Sequence, residues 1–582
     1  MRKHALFPLV TAAVLMVGLA PATATAAPGS ARASAGTEEP GRGPTEPLPD
    51  ETFAAPAGAP NPAHRFEGRL TLFGESHEGG FTELRDPYAM AGPGDEPIKH
   101  LPEISVEFVG DGGHLIPRVQ GLTFTGHPDW NLIVGPGRAW QQTGAGGWSK
   151  AAFPFSLVPR FTNCVHNGSM SFHYNGSSVS RVRYQVTQET CSFFNFDMWG
   201  SLAAQYQPYA VPGAGALKAA HAAEVANRLP TKPFAQLAVD HPGVDPDAFT
   251  REVGAQHLTA YGVLYQGVNY VGGCQTRWGT YAFCENMRFP SFSTSKTALA
   301  AFAQMRLAQR YGLGAGAEPI ADHVPETATA PGRWDDVTVE HALDMATGNY
   351  TSPVRMADED ANLIPFLLAG TQQQKTSLAL GYPRSAAPGT QWVYHTTDTY
   401  LATLAMQGYL RERAGASADL FRMVSDEVYA PIKLSAGIRA EAMRADHSGS
   451  GPALGGIGLF WNTDDIAKVA KLMNDDGGRA GGVQLLHPDP LDRAMQRNPA
   501  DRGLTTTSPT TLYNNGTWAR VFTPTGFPQY SCTFRVPYMS GFGGITAAMM
   551  PNGVTYYYFS DNYGYSWTDA VHAADRIAPH CP

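Results

Sequence analysis

The sequence predicts an α+β protein in two parts: a β-rich N-terminal domain, then a larger mixed domain with a helical middle. Three observations carry this. Residues 65–212 hold short strand-like runs closed by Gly, Asn or Asp. From about Asp247 the texture becomes helical, with runs that end at Gly. Strand patterns then return near the C-terminus, followed by one last helix, so a sheet whose two halves come from the two ends of the second part is expected.

Taken in order, the first residues read as an export signal over 1–26. Arg2 and Lys3 precede the apolar "ALFPLVTAAVLMVGLA", and "ATATAA" offers small residues for cleavage near Ala26. Residues 27–64 are rich in Pro, Gly, Ala and Glu and read as a disordered leader. The β-rich domain of 65–212 contains "GRLTLFG", "ISVEFVG", "WNLIVG", "GSMSFHYNG" and "SRVRYQVTQ", several alternating in period two. A helix, "GALKAAHAAEVANRL", and a linker fill 213–246. The second domain, 247–582, opens on a hairpin pattern, "LTAYGVLYQGVNYVGG". It continues through helices in "VTVEHALDMATG", "TYLATLAMQGYLRERAG" and "DDIAKVAKLMNDDGG". Strands in "RVPYMSGFGGITAAMM" and "GVTYYYFSDN" and a helix in "SWTDAVHAADRIA" close the chain.

Composition excludes several function classes. The net charge of −9 is spread along the chain with no basic stripe, which argues against nucleic acid as a partner. After the signal no run of about 18 apolar residues follows, so no membrane anchor is expected. There is no C-x-x-C or nearby His pair for a metal, no phosphate-cradling glycine loop, no G-x-S-x-G and no H-E-x-x-H. No metal and no other cofactor is expected, and oligomeric state is left open. Six cysteines in an exported chain point to disulfides. Connectivity is open from sequence alone. The simplest pairing joins neighbours, Cys164–Cys191, Cys274–Cys284 and Cys532–Cys581.

The stretch "FPSFSTSKTALAAFAQMRLAQRYG" places Ser293-Thr294-Ser295-Lys296 at the mouth of an apolar helix. Positions i and i+3 share a helix face, so Lys296 can take the proton of Ser293 once its amine is partly neutral. Burial and a helix N-terminus both lower an ammonium pKa. The same helix start offers the Ser293 backbone N–H to a developing oxyanion. A capped, solvated first turn has the same composition, so the pattern needs context.

The context is a resemblance. "MRFPSFSTSKTA", "VTVEHALDMATG" about forty residues later, "APGTQWVYHTTDTYLATLAM" and "LGGIGLFWNTDDIAKVAKLMNDDGG" occur in the order found in serine beta-lactamases and penicillin-recognising enzymes. The class C-like and esterase branch is the nearest. The resemblance covers roughly Asp247 to the end. It implies a beta-lactamase-like catalytic domain, with Ser293 as nucleophile and Lys296 as base. It also implies that the Tyr394 phenol beside them passes a proton to the leaving group. Tyr394 read without it is a packed core aromatic. Thr396 stands where the family often has Asn or Ser at the substrate. The family's basic third motif falls on Met539-Ser540-Gly541, where methionine replaces the cation; Arg535 lies on the same strand face as a substitute charge. The strand is expected to lend the Phe542 N–H to the oxyanion hole, with Thr396, Met539, Ser540 and Gly541 against the substrate.

The resulting expectation is a secreted, extracellular serine hydrolase. It cleaves a small or oligomeric ester or amide through an acyl-enzyme on Ser293, and beta-lactams are not its preferred substrates. A D,D-peptidase or beta-lactamase is the alternative within the enzyme class. A non-catalytic sensor or binding protein of the same fold is the alternative outside it.

Overall fold

The computed structural model describes residues 46–92, 96–144 and 146–581; the predicted signal peptide lies outside the described residues. The N-terminal region is built from nine strands, β1 Glu67–Arg85, β2 Ile104–Asp111, β3 His114–Pro117, β4 Trp130–Val134, β5 Gly137–Gln141, β6 Ser149–Pro159, β7 Val165–Tyr174, β8 Val182–Thr190 and β9 Asn195–Pro208. Their hydrogen-bonded order is β4-β6-β5-β3-β2-β1-β9-β8-β7, and β6 also pairs with β7. That last pairing joins the ends. All but β4 therefore close into an antiparallel barrel, with β4 zipped to the C-terminal half of β6 from Trp130↔Pro159 to Val134↔Phe155. Closure pairs both sides of the eight barrel strands and leaves β4 as the edge, bridged at Leu132 to Thr123. Phe66 stacks on Tyr206 at 4.3 Å, meets Tyr174 edge-on at 5.2 Å and Phe172 at 5.3 Å. These rings belong to the buried core.

Residues 46–64 depart from the expected disordered leader. Leu48 N–H donates to Gln185 Oε1 (2.9 Å), and Gln185 Nε2 donates back to Leu48 O (3.0 Å). Asp50 is buried, and Thr187, Gln185 and Thr276 donate to its carboxylate. Phe53 is buried as well. A Pro- and Gly-rich composition hides these few anchors, because one satisfied carboxylate and one aromatic suffice to tie a segment down.

Helix α1, Ala214–Ala226, leads to the second sheet. The predicted linker is partly sheet instead. Thr231–Pro233 forms β10 and runs parallel to β12, an edge position where proline is tolerated. The hairpin β11 Leu258–Tyr265 and β12 Val268–Gly273 joins six strands from the other end of the chain, β13 Leu504–Thr505, β14 Thr511–Asn514, β15 Thr517–Phe522, β16 Phe534–Gly541, β17 Ile545–Met549 and β18 Thr555–Ser560. The order is β10-β12-β11-β18-β17-β16-β15-β14-β13, so β11 and β18 unite the two halves. Among the helices that follow the first hairpin are α2 Phe302–Tyr311, α3 Ala357–Leu368, α4 Thr396–Ala414 and α5 Thr463–Asn474; α6 Thr568–Ile577 ends the fold. All described residues belong to one compact unit. Disulfides join Cys164–Cys191, Cys274–Cys284 and Cys532–Cys581.

Candidate active site

Ser293 sits in a turn, not in the helix that follows. Residues Lys296–Ala301 form a π-helical segment that runs into α2, which stops at Gly312 with φ 94°. Wide π turns recur at functional sites. Phe292, just before Ser293, has φ 39°, a left-handed conformation that a non-glycine residue keeps only where its surroundings impose it. The strand pair Phe289–Pro290 with Phe460–Trp461 holds the approach. The Thr294 hydroxyl caps back to Ser291 O at 2.8 Å and accepts from Trp461 Nε1 at 3.0 Å.

Lys296 is buried, and its Nζ donates to Ser293 Oγ (3.0 Å), Thr396 Oγ1 (2.8 Å) and Gly456 O (3.4 Å). Burial pushes its ammonium down to about 8, against the opposing pull of Glu359 and Asp398. The amine is therefore partly neutral near physiological pH and within reach of the Ser293 proton.

Tyr394 lies beside this pair, its ring centroid 4.9 Å from Lys296 Nζ. It packs with Met345, Trp392 and Tyr513 and stacks on Trp518 at 5.6 Å. Burial and the charge of Glu359 hold its phenol well above the usual tyrosine range, and a hydrogen bond with Ser293 works the other way. The aromatic cage and the contact with Ser293 coexist, so the packed-aromatic role and a proton-passing role are not exclusive.

Thr396, expected against the substrate, is instead buried with its hydroxyl engaged on both sides. It accepts from Lys296 and donates to Glu359, while Thr396 N–H also donates to Glu359 Oε2 at 2.7 Å. Its position serves the lysine. Glu359 and the neighbouring Asp358 belong to the first turn of α3, in "ADED". Acidic residues in a first helical turn ordinarily read as a solvated, dipole-favoured start, so the sequence offered no reason to select them.

A second buried cluster adjoins. His395 bridges Asp398 (Nδ1–Oδ2, 3.3 Å) and Asp358 (Nε2–Oδ2, 3.2 Å) and stacks on Tyr382 at 4.3 Å. Burial opposes its charge, but Asp398 and Asp358 outweigh burial and raise the imidazolium to about 9. The Asp358 carboxylate also accepts Thr351 N–H (2.7 Å) and Ser352 N–H (3.0 Å).

At the third motif, Met539 is fully buried, opposite Ala547 on the neighbouring strand. It gives a substrate neither charge nor open surface, which corrects the expected contact. Ser540 pairs with Thr546, and its side chain alternates to the other face of β16. Arg535 lines a cavity of about 480 Å³ with Arg497, Arg502, Gln496 and Asn474. None of Ser293, Lys296 and Tyr394 lines it, so a substitute charge from Arg535 is not found at the site. Gly541 is where β16 touches the turn that carries Ser293: a Cβ there would lie 2.8 Å from Ser291 O and 3.3 Å from Phe292 Cβ. Phe542 follows, its ring 5.5 Å from Phe292 and 5.2 Å from Tyr563. Among the described residues, neither Ser293 N–H nor Phe542 N–H donates to a protein acceptor. Among the same residues no cluster of His, Cys, Asp and Glu fits a metal, and no helix is long and apolar enough to cross a membrane.

No curated protein matches. A penicillin binding protein from Bacillus halodurans is 15% identical, with 56% of this chain and 96% of that chain covered at a TM-score of 0.39. A family VIII carboxylesterase is 17% identical, with 58% and 99% covered and a TM-score of 0.38. A class C beta lactamase from Rhodobacter sphaeroides is 14% identical, with 62% and 99% covered and a TM-score of 0.38. The family model for beta-lactamase matches residues 260–565, which span Ser293, Lys296, Tyr394 and Gly541, and this chain belongs to the beta-lactamase family.

Proposed function

We propose that this protein is an exported serine hydrolase that cleaves neutral esters or amides through an acyl-enzyme on Ser293. The observation that carries the reading is the Lys296 amine, buried, lowered to about 8 and 3.0 Å from Ser293 Oγ. Lys296 takes the serine proton as Oγ attacks the carbonyl. The N–H groups of Ser293 and Phe542 receive the oxyanion, and one such donor is worth roughly 10²–10³ in kcat. Tyr394 relays that proton from Lys296 to the leaving group; in the second half water gives a proton back to the same pair as it attacks the acyl carbonyl, and that proton returns to Ser293 Oγ as the acid leaves. The neutral preference is supported by Met539, which brings no cation, and by the aromatic side chains of Phe292, Phe542 and Tyr563 near the nucleophile. Export is supported by three disulfides.

The test is a hydrolysis panel of p-nitrophenyl esters, D-amino acid amides and short polyamide or polyester oligomers, together with fluorophosphonate labelling and mass mapping. Label on Ser293, and loss of both label and turnover in Ser293→Ala with the melting temperature nearly unchanged, are expected. An unlabelled Ser293 with no turnover on any substrate would support a non-catalytic binding role. Efficient turnover of a penicillin would replace the neutral-substrate reading with the beta-lactamase one.

A further inference from the structure

The barrel reaches the nucleophile turn through one buried side chain. Asn163 stands in the loop between β6 and β7, directly before Cys164, which is bonded to Cys191 just past β8. It is completely buried. Its Oδ1 accepts from Phe292 N–H (2.8 Å), Gly458 N–H (2.9 Å) and the Ser291 hydroxyl (2.9 Å), and its Nδ2 donates to Leu459 O (3.3 Å). Two of the three donors are backbone N–H groups, so the atom that faces them has to be the amide oxygen. Ser291 completes the knot: its Oγ accepts Leu459 N–H at 3.0 Å and its own N–H donates to Leu459 O at 2.9 Å.

One amide thus ties together the two segments that carry the chemistry. Phe292 is the left-handed residue immediately before Ser293. Gly458 ends the glycine loop in which Gly456 O receives Lys296 Nζ. Four residues further along, Asn167 repeats the device. Its Oδ1 accepts Arg288 N–H at 3.2 Å and its Nδ2 donates to Arg288 O at 2.9 Å, holding the strand that leads to the turn.

We infer that Asn163 is a positioning residue, and that the barrel acts by holding the nucleophile turn in register with the Lys296 loop. This rests on Ser293 being the nucleophile. Asn163 touches no reacting atom. Its work is to keep Phe292 in a conformation that it would otherwise leave, so that Ser293 Oγ and the Ser293 N–H stay aimed at one carbonyl. A small misplacement there lowers the chemical step without weakening substrate binding.

The experiment uses the full secreted chain in four forms: wild type, Asn163→Ala, Asn163→Asp and Tyr174→Phe. The last removes a half-buried barrel hydrogen bond, to His64 O at 2.9 Å, that involves neither Asn163 nor the residues it bonds. Readouts are the rate of fluorophosphonate labelling, kcat, KM and melting temperature. Asn163→Ala is expected to lower the labelling rate and kcat by about 10-fold or more, with KM within about 2-fold. Asn163→Asp keeps an acceptor for all three donors and is expected to recover to within about 3-fold of wild type. Tyr174→Phe is expected to lower the melting temperature without changing either rate. The proposal is overturned if folded Asn163→Ala stays within about 3-fold of wild type, or if Tyr174→Phe loses rate in step with its stability. It is also overturned if neither Asn163 variant folds, because the residue is then a folding determinant. Failure of wild-type Ser293 to label sinks the nucleophile assignment instead, whatever the Asn163 variants do.

Discussion

The Thr396 hydroxyl accepts from Lys296 Nζ at 2.8 Å while it donates to Glu359. Lys296 is therefore wired, through one hydroxyl, to a buried carboxylate that favours its protonated form. Burial lowers Lys296 and Glu359 partly restores it, and the balance falls at about 8.

That balance sets a pH dependence. A base works when neutral, so kcat/KM should rise with pH through an acidic limb near 8 and level off above it. Glu359→Gln keeps the shape and removes the charge that raises Lys296. The limb should then move to lower pH, because the remaining shift on the lysine is downward. A pH–rate profile of the two proteins decides this; a limb that stays in place or moves up contradicts Glu359 as the controlling charge.

His395 makes a prediction about stability. It is the cation between Asp358 and Asp398, and removal of one member of a buried charge cluster leaves the rest uncompensated. His395→Leu should cost about 3–5 kcal/mol by urea unfolding at pH 7. The sign with pH follows from its raised value of about 9: this stabilisation is complete below the ordinary histidine pKa and fades as pH climbs through about 9. The difference between wild type and His395→Leu should shrink accordingly at high pH.

Substrate charge is the third. With Met539 in place of a cation, a substrate carboxylate brought to the site would lose hydration without gaining a partner. A matched pair of substrates, one a free acid and one amidated, should differ in kcat/KM in favour of the amide. A wild-type preference for the free acid would mean that another cation reads the substrate.

Much of the second sheet was legible from pattern alone, since "LTAYGVLYQGVNYVGG" and "GVTYYYFSDN" are strands that pair as β11, β12 and β18. The barrel was legible only as short strands. Its closure depends on β6, "SKAAFPFSLVP", whose near-continuous apolar run carries no period-two signal because it is buried on both faces. Ser293 and Lys296 could be proposed because a motif marks them and helix geometry explains their spacing, and Tyr394 only through the family resemblance. Glu359, His395 and Asn163 could not. Their importance arises from long-range contacts, such as the 37 residues between Glu359 and Thr396 and the 129 between Asn163 and Phe292, which local pattern does not encode.

The closed barrel also has a consequence in time. All of its strands lie between Glu67 and Pro208, so every pairing it needs is available before the residues around Ser293 have been synthesised. The second sheet is the opposite case: β11 waits for β18, and the union of Leu258 with Ser560 spans most of the domain. A chain made from its N-terminus can thus complete a self-contained cradle early, with Asn163 and Asn167 already facing outward to the segment that arrives next. The slow, high-contact-order step is then the return of the C-terminal strands. In order of synthesis the turn that carries Ser293 thus meets a barrel whose strands precede it, and the strand that brings Gly541 and Phe542 comes later.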